Sequence, residues 1–359
     1  MKEASIEASF LLYNVRMAKN KKNKKETIIQ VVGLVFTVCA FVAAVFAVTT
    51  MINKPKTSES DVTTYSGSVR QKPVLLFDGK EYQMKDDLEV ILIMGIDDRE
   101  DIGDANTYYN NSQADVLYVY AIDHKNKQYQ AIQINRDTMT GVQTYTADGY
   151  KDSLIPMQIC LAHGYGKTEQ GRCVNTVEAV SGLLFDIPID HYISLNMSAI
   201  PVLNEQVGGV TVTVPEGLES ADPAFKEGAT VTLQGKQAET FVRARMGLDN
   251  DTNEFRMQRQ QIFLTAWKEQ ANAKMNNDSG FAMNLVFALS DYMVSDMTAN
   301  RLSDFASQLS DYEDLGTIKT EGETLEEGEG RSFREYHVDM DDLQRKVIAI
   351  FYEEVKEET

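Results

Sequence analysis

Two periods of apolar and polar residues run through most of the chain. Residues 88–97 (LEVILIMGID) and 115–123 (DVLYVYAID) are short apolar runs bounded by polar residues, as suits strands buried on both faces. KQYQAIQIN (127–135) follows the second at hairpin distance, and VTVTV (210–214) is a further strand. VLLFDGKEYQM (74–84) reads as a hairpin with Asp78-Gly79 as its two-residue turn. Between these runs the period changes. Residues 169–185 place Val174, Val177, Val180, Leu183 and Leu184 at helical spacing. Residues 196–209 read as a helix ending on glycine. Segments 233–245, 254–274, 281–295 and 299–313 also read as helices, and the tail as a strand followed by a closing helix. ETLEEGEGRSF reads as a solvated acidic loop. Strands mixed with helices, without a repeat, predict a three-layer α/β/α domain over 88–359, with 74–87 an accessory hairpin.

One apolar run follows neither period. From Ile28 to Ile52 there are 25 residues without a charge, about 37 Å as a helix, enough to cross a bilayer core. KNKKNKK precedes it, and only Lys54 and Lys56 follow closely. This asymmetry predicts a single-pass cell-membrane protein with a cytoplasmic tail (1–27), a membrane helix (28–52), a linker (53–73) and an extracellular remainder. A signal peptide cleaved near Val45-Phe46-Ala47 is the competing reading; the length of the run favours an anchor.

Charge sharpens that picture. The net charge is −19, but residues 1–26 hold seven Lys/Arg against three Glu, leaving −23 for the rest. An acidic body excludes a protein that coats nucleic acid. A tail of about 27 residues is too short for a nucleotide-fuelled domain, and no GxxxxGK[ST] or GxGxxG loop occurs. The chemistry is therefore expected outside the cell, without cytosolic ATP.

Candidate chemistry collects at strand ends. Asp97, Asp98 and Arg99 follow the first buried strand, Asp115 opens the second, and Asn135-Arg136-Asp137-Thr138 closes the third. Alone, the last stretch reads as a turn. Two acids at neighbouring strand ends, Asp97 and Asp115, suit a shared Mg²⁺. Arg243 and Arg245 end one helix; Arg256 and Arg259 share a face of the next, with Gln260 one turn beyond Arg256. Clustered arginines serve surface salt bridges or anion binding, and spacing alone leaves both open. Cys39 lies in the apolar run. Cys160 and Cys173 fall in the extracellular part, where a disulfide between them is expected to staple the loop before the 169–185 helix.

The order of these motifs resembles the LytR–CpsA–Psr (LCP) family. It comprises G-x-D-x-R, an Asp opening a strand, RDT, DIPIDHYISLNMSAIPVLNEQVGGVTVTVP, R-x-R and R-x-x-R-Q-Q, from about residue 88 to 268. The resemblance implies a phosphotransferase that moves a glycopolymer (teichoic acid, capsule or other wall polysaccharide) from undecaprenyl pyrophosphate to peptidoglycan. It implies Mg²⁺ on Asp97 and Asp115 and pyrophosphate among Arg99, Arg136, Arg243, Arg245, Arg256, Arg259 and Gln260. Arg136, Asp137, Arg243 and Arg245 would be the catalytic group, and a hydrophobic tunnel would hold the polyprenyl tail. Two positions depart from the family. Asn135 stands where proline is usual, a change expected to loosen the strand end. Gln158, in QICLAHGYG, stands where a phosphate-facing lysine is usual, with His163 a substitute partner in the same stretch. A non-catalytic scaffold that binds the carrier lipid, and a carrier-lipid pyrophosphatase, are the alternatives.

Overall fold

The computed structural model describes residues 74–97, 112–244, 253–326 and 333–355. The described chain begins with β1 (Val74–Phe77) and β2 (Lys80–Met84), then β3 (Leu88–Ile96), β4 (Ala114–Asp123), β5 (Gln128–Ile134), β6 (Met139–Tyr145) and β7 (Lys151–Gln158). A 3-10 turn (Ile159–Gly164) leads to α1 (Glu169–Leu183), β8 (His191–Asn196), α2 (Ala199–Gln206), β9 (Thr211–Thr213) and β10 (Thr230–Thr232). Next come α3 (Gln237–Arg243), α4 (Asn253–Met275), α5 (Phe281–Leu289), β11 (Met293–Ser295) and α6 (Ala299–Asp311). The described C-terminal part holds β12 (Glu313–Lys319), β13 (Gly322–Leu325), β14 (Glu335–Val338), α7 (Met340–Phe351) and β15 (Tyr352–Glu354).

Six strands form the central sheet in the order β11-β8-β3-β4-β5-β12. β3, β4 and β5 are an antiparallel meander, while β8 joins β3 and β12 joins β5 in parallel. Alternation along the strands sends side chains to both faces. Leu92, Met94, Leu117 and Val119 share a core with Val177, Val180 and Leu183 of α1 and Val347 of α7. Ile91, Ile122, Tyr129 and Ile193 pack with Val286 of α5 and Leu302 and Phe305 of α6. The sheet is thus covered by helices on both sides, the three-layer arrangement the patterning predicts.

Several elements differ in extent from the sequence reading, each for a tertiary reason. Residues 293–295 leave the expected 281–295 helix to pair with β8, which would otherwise present an open edge. Residues 191–196 are a strand, and the helix after them starts only at Ala199. The expected acidic loop begins as a strand: Gly322–Leu325 form β13 against β14. The β6–β7 hairpin, absent from the pattern, packs on α1, where Asn175 Nδ2 donates to Gln143 O at 3.1 Å. The first hairpin turns at Asp78 and Gly79, both left-handed (φ 49° and 75°), as a two-residue primed turn requires. It is a landing site for the chain's far end. β15 pairs with β2, and Lys85 Nζ donates to Ile350 O at 2.7 Å at the end of α7.

Candidate active site

A bulge builds the first part of the site. Gly95 pairs with Val116 and Ile96 with Ala114, so Asp115 is an extra residue in β4. Bulges re-aim side chains, and Asp115 lines a cavity beside Asp97 at the end of β3. Gly95 makes this close pairing tolerable, because a Cβ there would lie 2.9 Å from Val116 Cβ.

The carboxylate of Asp115 is a hub. Arg136 Nη1 donates to its Oδ1, and Arg256 Nη1 to its Oδ2 at 3.3 Å. Asp115 and Arg256 are buried and Arg136 nearly so. Arg136 Nη2 donates to Gln113 Oε1 and to Cys160 Sγ at 3.1 Å, and Nε lies 3.3 Å from Asp137 Oδ1 as an ion pair. Burial works against the Arg136 charge, but Cys160, Asp115 and Asp137 outweigh it and hold the guanidinium above its ordinary pKa. Arg243 pairs with Asp97 at 2.5 Å and with Glu239 at 2.9 Å. Arg256, Arg243 and Gln260 also line the cavity.

Arg259 is oriented differently from its neighbours. Its Nε donates to Phe241 O at 3.1 Å and its Nη2 to Ala244 O at 2.6 Å, closing the C-terminal end of α3. Arg99 and Arg245 lie outside the described residues.

Both departures from the family pattern have a structural account. Asn135 Oδ1 accepts from Asp137 N–H at 3.0 Å, an Asx turn that braces the strand end where loosening was expected. Gln158 Nε2 donates to Asp137 Oδ1 at 2.9 Å and to Arg334 O at 2.8 Å. Tyr336 N–H donates to Asp137 O at 2.9 Å, so the C-terminal segment also holds this turn.

The disulfide expected between Cys160 and Cys173 is not formed; both are free, buried thiols. Each sulfur has its own polar neighbour. Cys160 faces Arg136, and Cys173 lies 3.8 Å from His163 Nε2. Burial pushes both thiols up to about 12. His163 Nδ1 lies 2.9 Å from Ser112 Oγ, and burial, aided by Arg172, pushes its pKa down to about 3. It is a neutral strut under the start of β4, not a cation for phosphate.

The cavity between the sheet and helices α2–α6 measures about 1040 Å³. Its polar part holds Asp97, Asp115, Arg243, Arg256 and the neutral Gln260; its apolar body includes Ile193, Leu203, Phe263, Trp267, Leu285 and Phe305. Sequence reasoning missed Tyr118, Tyr120, Tyr129 and Lys268 in its wall. The alternation of Tyr118 and Tyr120 along β4 was the available signal.

The donor set fits Mg²⁺. Two carboxylates on one cavity wall match an ion that takes one or two protein carboxylates and completes its shell with water and phosphate. Each carboxylate is also paired with an arginine that could instead meet a phosphate. Among the described residues, no group of three or more His, Cys, Asp or Glu is placed to hold a metal by itself.

An α/β/α domain whose cavity joins charged residues to an apolar body is a candidate ligand-binding fold. The chain belongs to the LytR_cpsA_psr family, whose profile matches residues 47–347. The polyisoprenyl-teichoic acid–peptidoglycan teichoic acid transferase TagU of Halalkalibacterium halodurans is 30% identical over 155 residues, 43% of this chain and 44% of that protein. TagT of Bacillus subtilis, with the same functional name, is 25% identical over 257 residues, 69% of this chain and 71% of that protein. The chain thus spans less than half the length of the TagU relative. A structure of TagT bound to LI-WTA has the same fold, with a TM-score of 0.55 at 19% identity over 74% of this chain and 90% of that one. TagV of B. subtilis gives 0.52 at 23% identity over 74% and 98%.

Proposed function

We propose that the protein is a Mg²⁺-dependent phosphotransferase that moves a glycopolymer from an undecaprenyl-pyrophosphate carrier to peptidoglycan. The observation that carries this reading is the cavity, where carboxylates and arginines adjoin an apolar body of tail-binding size. The transferase names of the relatives support it. Those names favour teichoic acid; the cavity has the chemistry for the lipid that capsule and other wall polysaccharides share.

The residues act through charge exchange. Arg136, Arg243 and Arg256 are held on Asp115 and Asp97 in the free protein. When pyrophosphate enters, the guanidiniums turn to phosphate oxygens, which they match bidentately. Asp97 and Asp115 would hold the metal, which when bound neutralises pyrophosphate charge. The acceptor hydroxyl oxygen bonds to the polymer-linked phosphorus as that phosphorus parts from the bridging oxygen; the hydroxyl proton passes to solvent, and the lipid leaves as its monophosphate. Pyrophosphate carries its own leaving group, so the reaction needs no ATP. Asp137, clamped by Gln158, Asn135 and Tyr336, orients Arg136.

The same reading places the chain in the cell membrane, with the domain outside, near a membrane-held substrate. The 28–52 run that supports this lies outside the described residues, and no described helix is long and apolar enough to cross a membrane. The fate of the polymer tests the function. Attachment to peptidoglycan marks the transferase, release to water a pyrophosphatase, and binding without turnover a scaffold.

A further inference from the structure

The cavity wall carries a hydroxyl that the protein leaves unsatisfied. Tyr118 lines the cavity and is 3% exposed, and its phenol oxygen is buried without a hydrogen-bond partner among the described residues. Its cross-strand neighbour Gln133, also buried, leaves Oε1 without a partner, while its amide nitrogen reaches Met257 O at 3.5 Å. The two neighbours therefore do not satisfy each other. A buried donor in this state costs the empty protein stability. Lys268, also in the wall, is accounted for: it pairs with Asp314 and lies 5.7 Å from the Tyr129 ring centroid.

The level of Tyr118 in the cavity gives the hydroxyl its meaning. Asp115 precedes it on β4 among the charged groups, and Tyr120 follows it towards the apolar body. The Tyr118 and Tyr120 rings are 6.4 Å apart, as for residues sharing one face of a strand. Burial raises the phenol well above the ordinary tyrosine pKa, so it stays protonated and can only be a neutral donor or acceptor. A hydrocarbon offers nothing to a donor at this level. A phosphate oxygen does, and a charged acceptor makes the stronger bond.

We propose that Tyr118 is a ligand-binding residue whose hydroxyl donates to the phosphate next to the hydrocarbon chain of a polyprenyl phosphate or pyrophosphate. It thereby marks the junction of head and tail. This assignment rests on the reading of the cavity as a polyprenyl-phosphate site.

Tyr118→Phe removes the hydroxyl and keeps the ring. The full chain in detergent is titrated with undecaprenyl monophosphate, undecaprenol and inorganic pyrophosphate, wild type beside variant. The variant should bind the monophosphate about tenfold more weakly, about 1.4 kcal/mol. Its affinities for undecaprenol and pyrophosphate should be unchanged. The ligand-free melting temperature should hold or rise, since an unsatisfied polar atom has been removed. Unchanged monophosphate affinity, an equal loss for undecaprenol or pyrophosphate, or a lower ligand-free melting temperature would overturn the assignment alone. Wild type that binds neither the monophosphate nor undecaprenol would overturn the cavity reading and this assignment together.

Discussion

At the residue scale, arginines that look alike in sequence take different parts. Arg256 and Arg259 are three apart on one helix, yet Arg256 reaches Asp115 in the cavity wall while Arg259 caps α3. Spacing gave them a shared face, but it could not show that the carbonyls of Phe241 and Ala244 would lie under the second. Arg259→Lys, which loses the fork, should therefore cost about 2 kcal/mol of stability. That is a fall in melting temperature of roughly 4–8 °C for a domain of this size. Pyrophosphate affinity well below the melting temperature should stay within about twofold of wild type. A normal melting temperature with weakened pyrophosphate binding would instead make Arg259 a ligand.

His163 belongs to the same scale. Its folded pKa of about 3 lies below that of an unfolded histidine, about 6.5. Between these values the unfolded chain binds a proton that the native protein does not, so stability falls as pH drops through this window. His163→Gln can still bond Ser112 but does not titrate. Urea midpoints at pH 7 and pH 4 should fall further apart in wild type than in the variant. Equal falls would mean that His163 is protonated in the native protein.

At the element scale, the site depends on one irregularity in an otherwise regular pair. The bulge at Asp115 and the close approach of Gly95 to Val116 set where β3 and β4 present their carboxylates. Gly95→Ala should destabilise the fold by roughly 1–3 kcal/mol through overpacking and lower transfer activity. Val116→Ala in the same chain should recover part of both, measured by chemical unfolding and turnover. A neutral Gly95→Ala would show that the pair gives way without cost.

Strands β3, β4 and β5 and helices α1 and α4 were legible because their apolar periods run long enough to dominate. β11, β13 and the β6–β7 hairpin were not. They are short or polar, and pairing with distant segments makes them strands. The candidate site follows the same division. The acids and arginines stood out as charges at element ends, whereas Gln113, Gln158 and Tyr336 matter through partners far along the chain.

At the scale of the whole molecule, the layers explain how the charged and apolar residues of the cavity meet. The side of the sheet towards α1 and α7 is closed by packed side chains, and the side towards α4, α5 and α6 encloses the cavity. The most direct test incubates the full chain in detergent with Mg²⁺, a labelled glycopolymer on undecaprenyl pyrophosphate and peptidoglycan fragments, and follows the label. The account predicts label joined to peptidoglycan through a phosphodiester, with release of undecaprenyl monophosphate. Chelation of the metal and Asp115→Asn should each lower the rate at least about a hundredfold. Label released to water regardless of peptidoglycan, or full activity in Asp115→Asn, would contradict it.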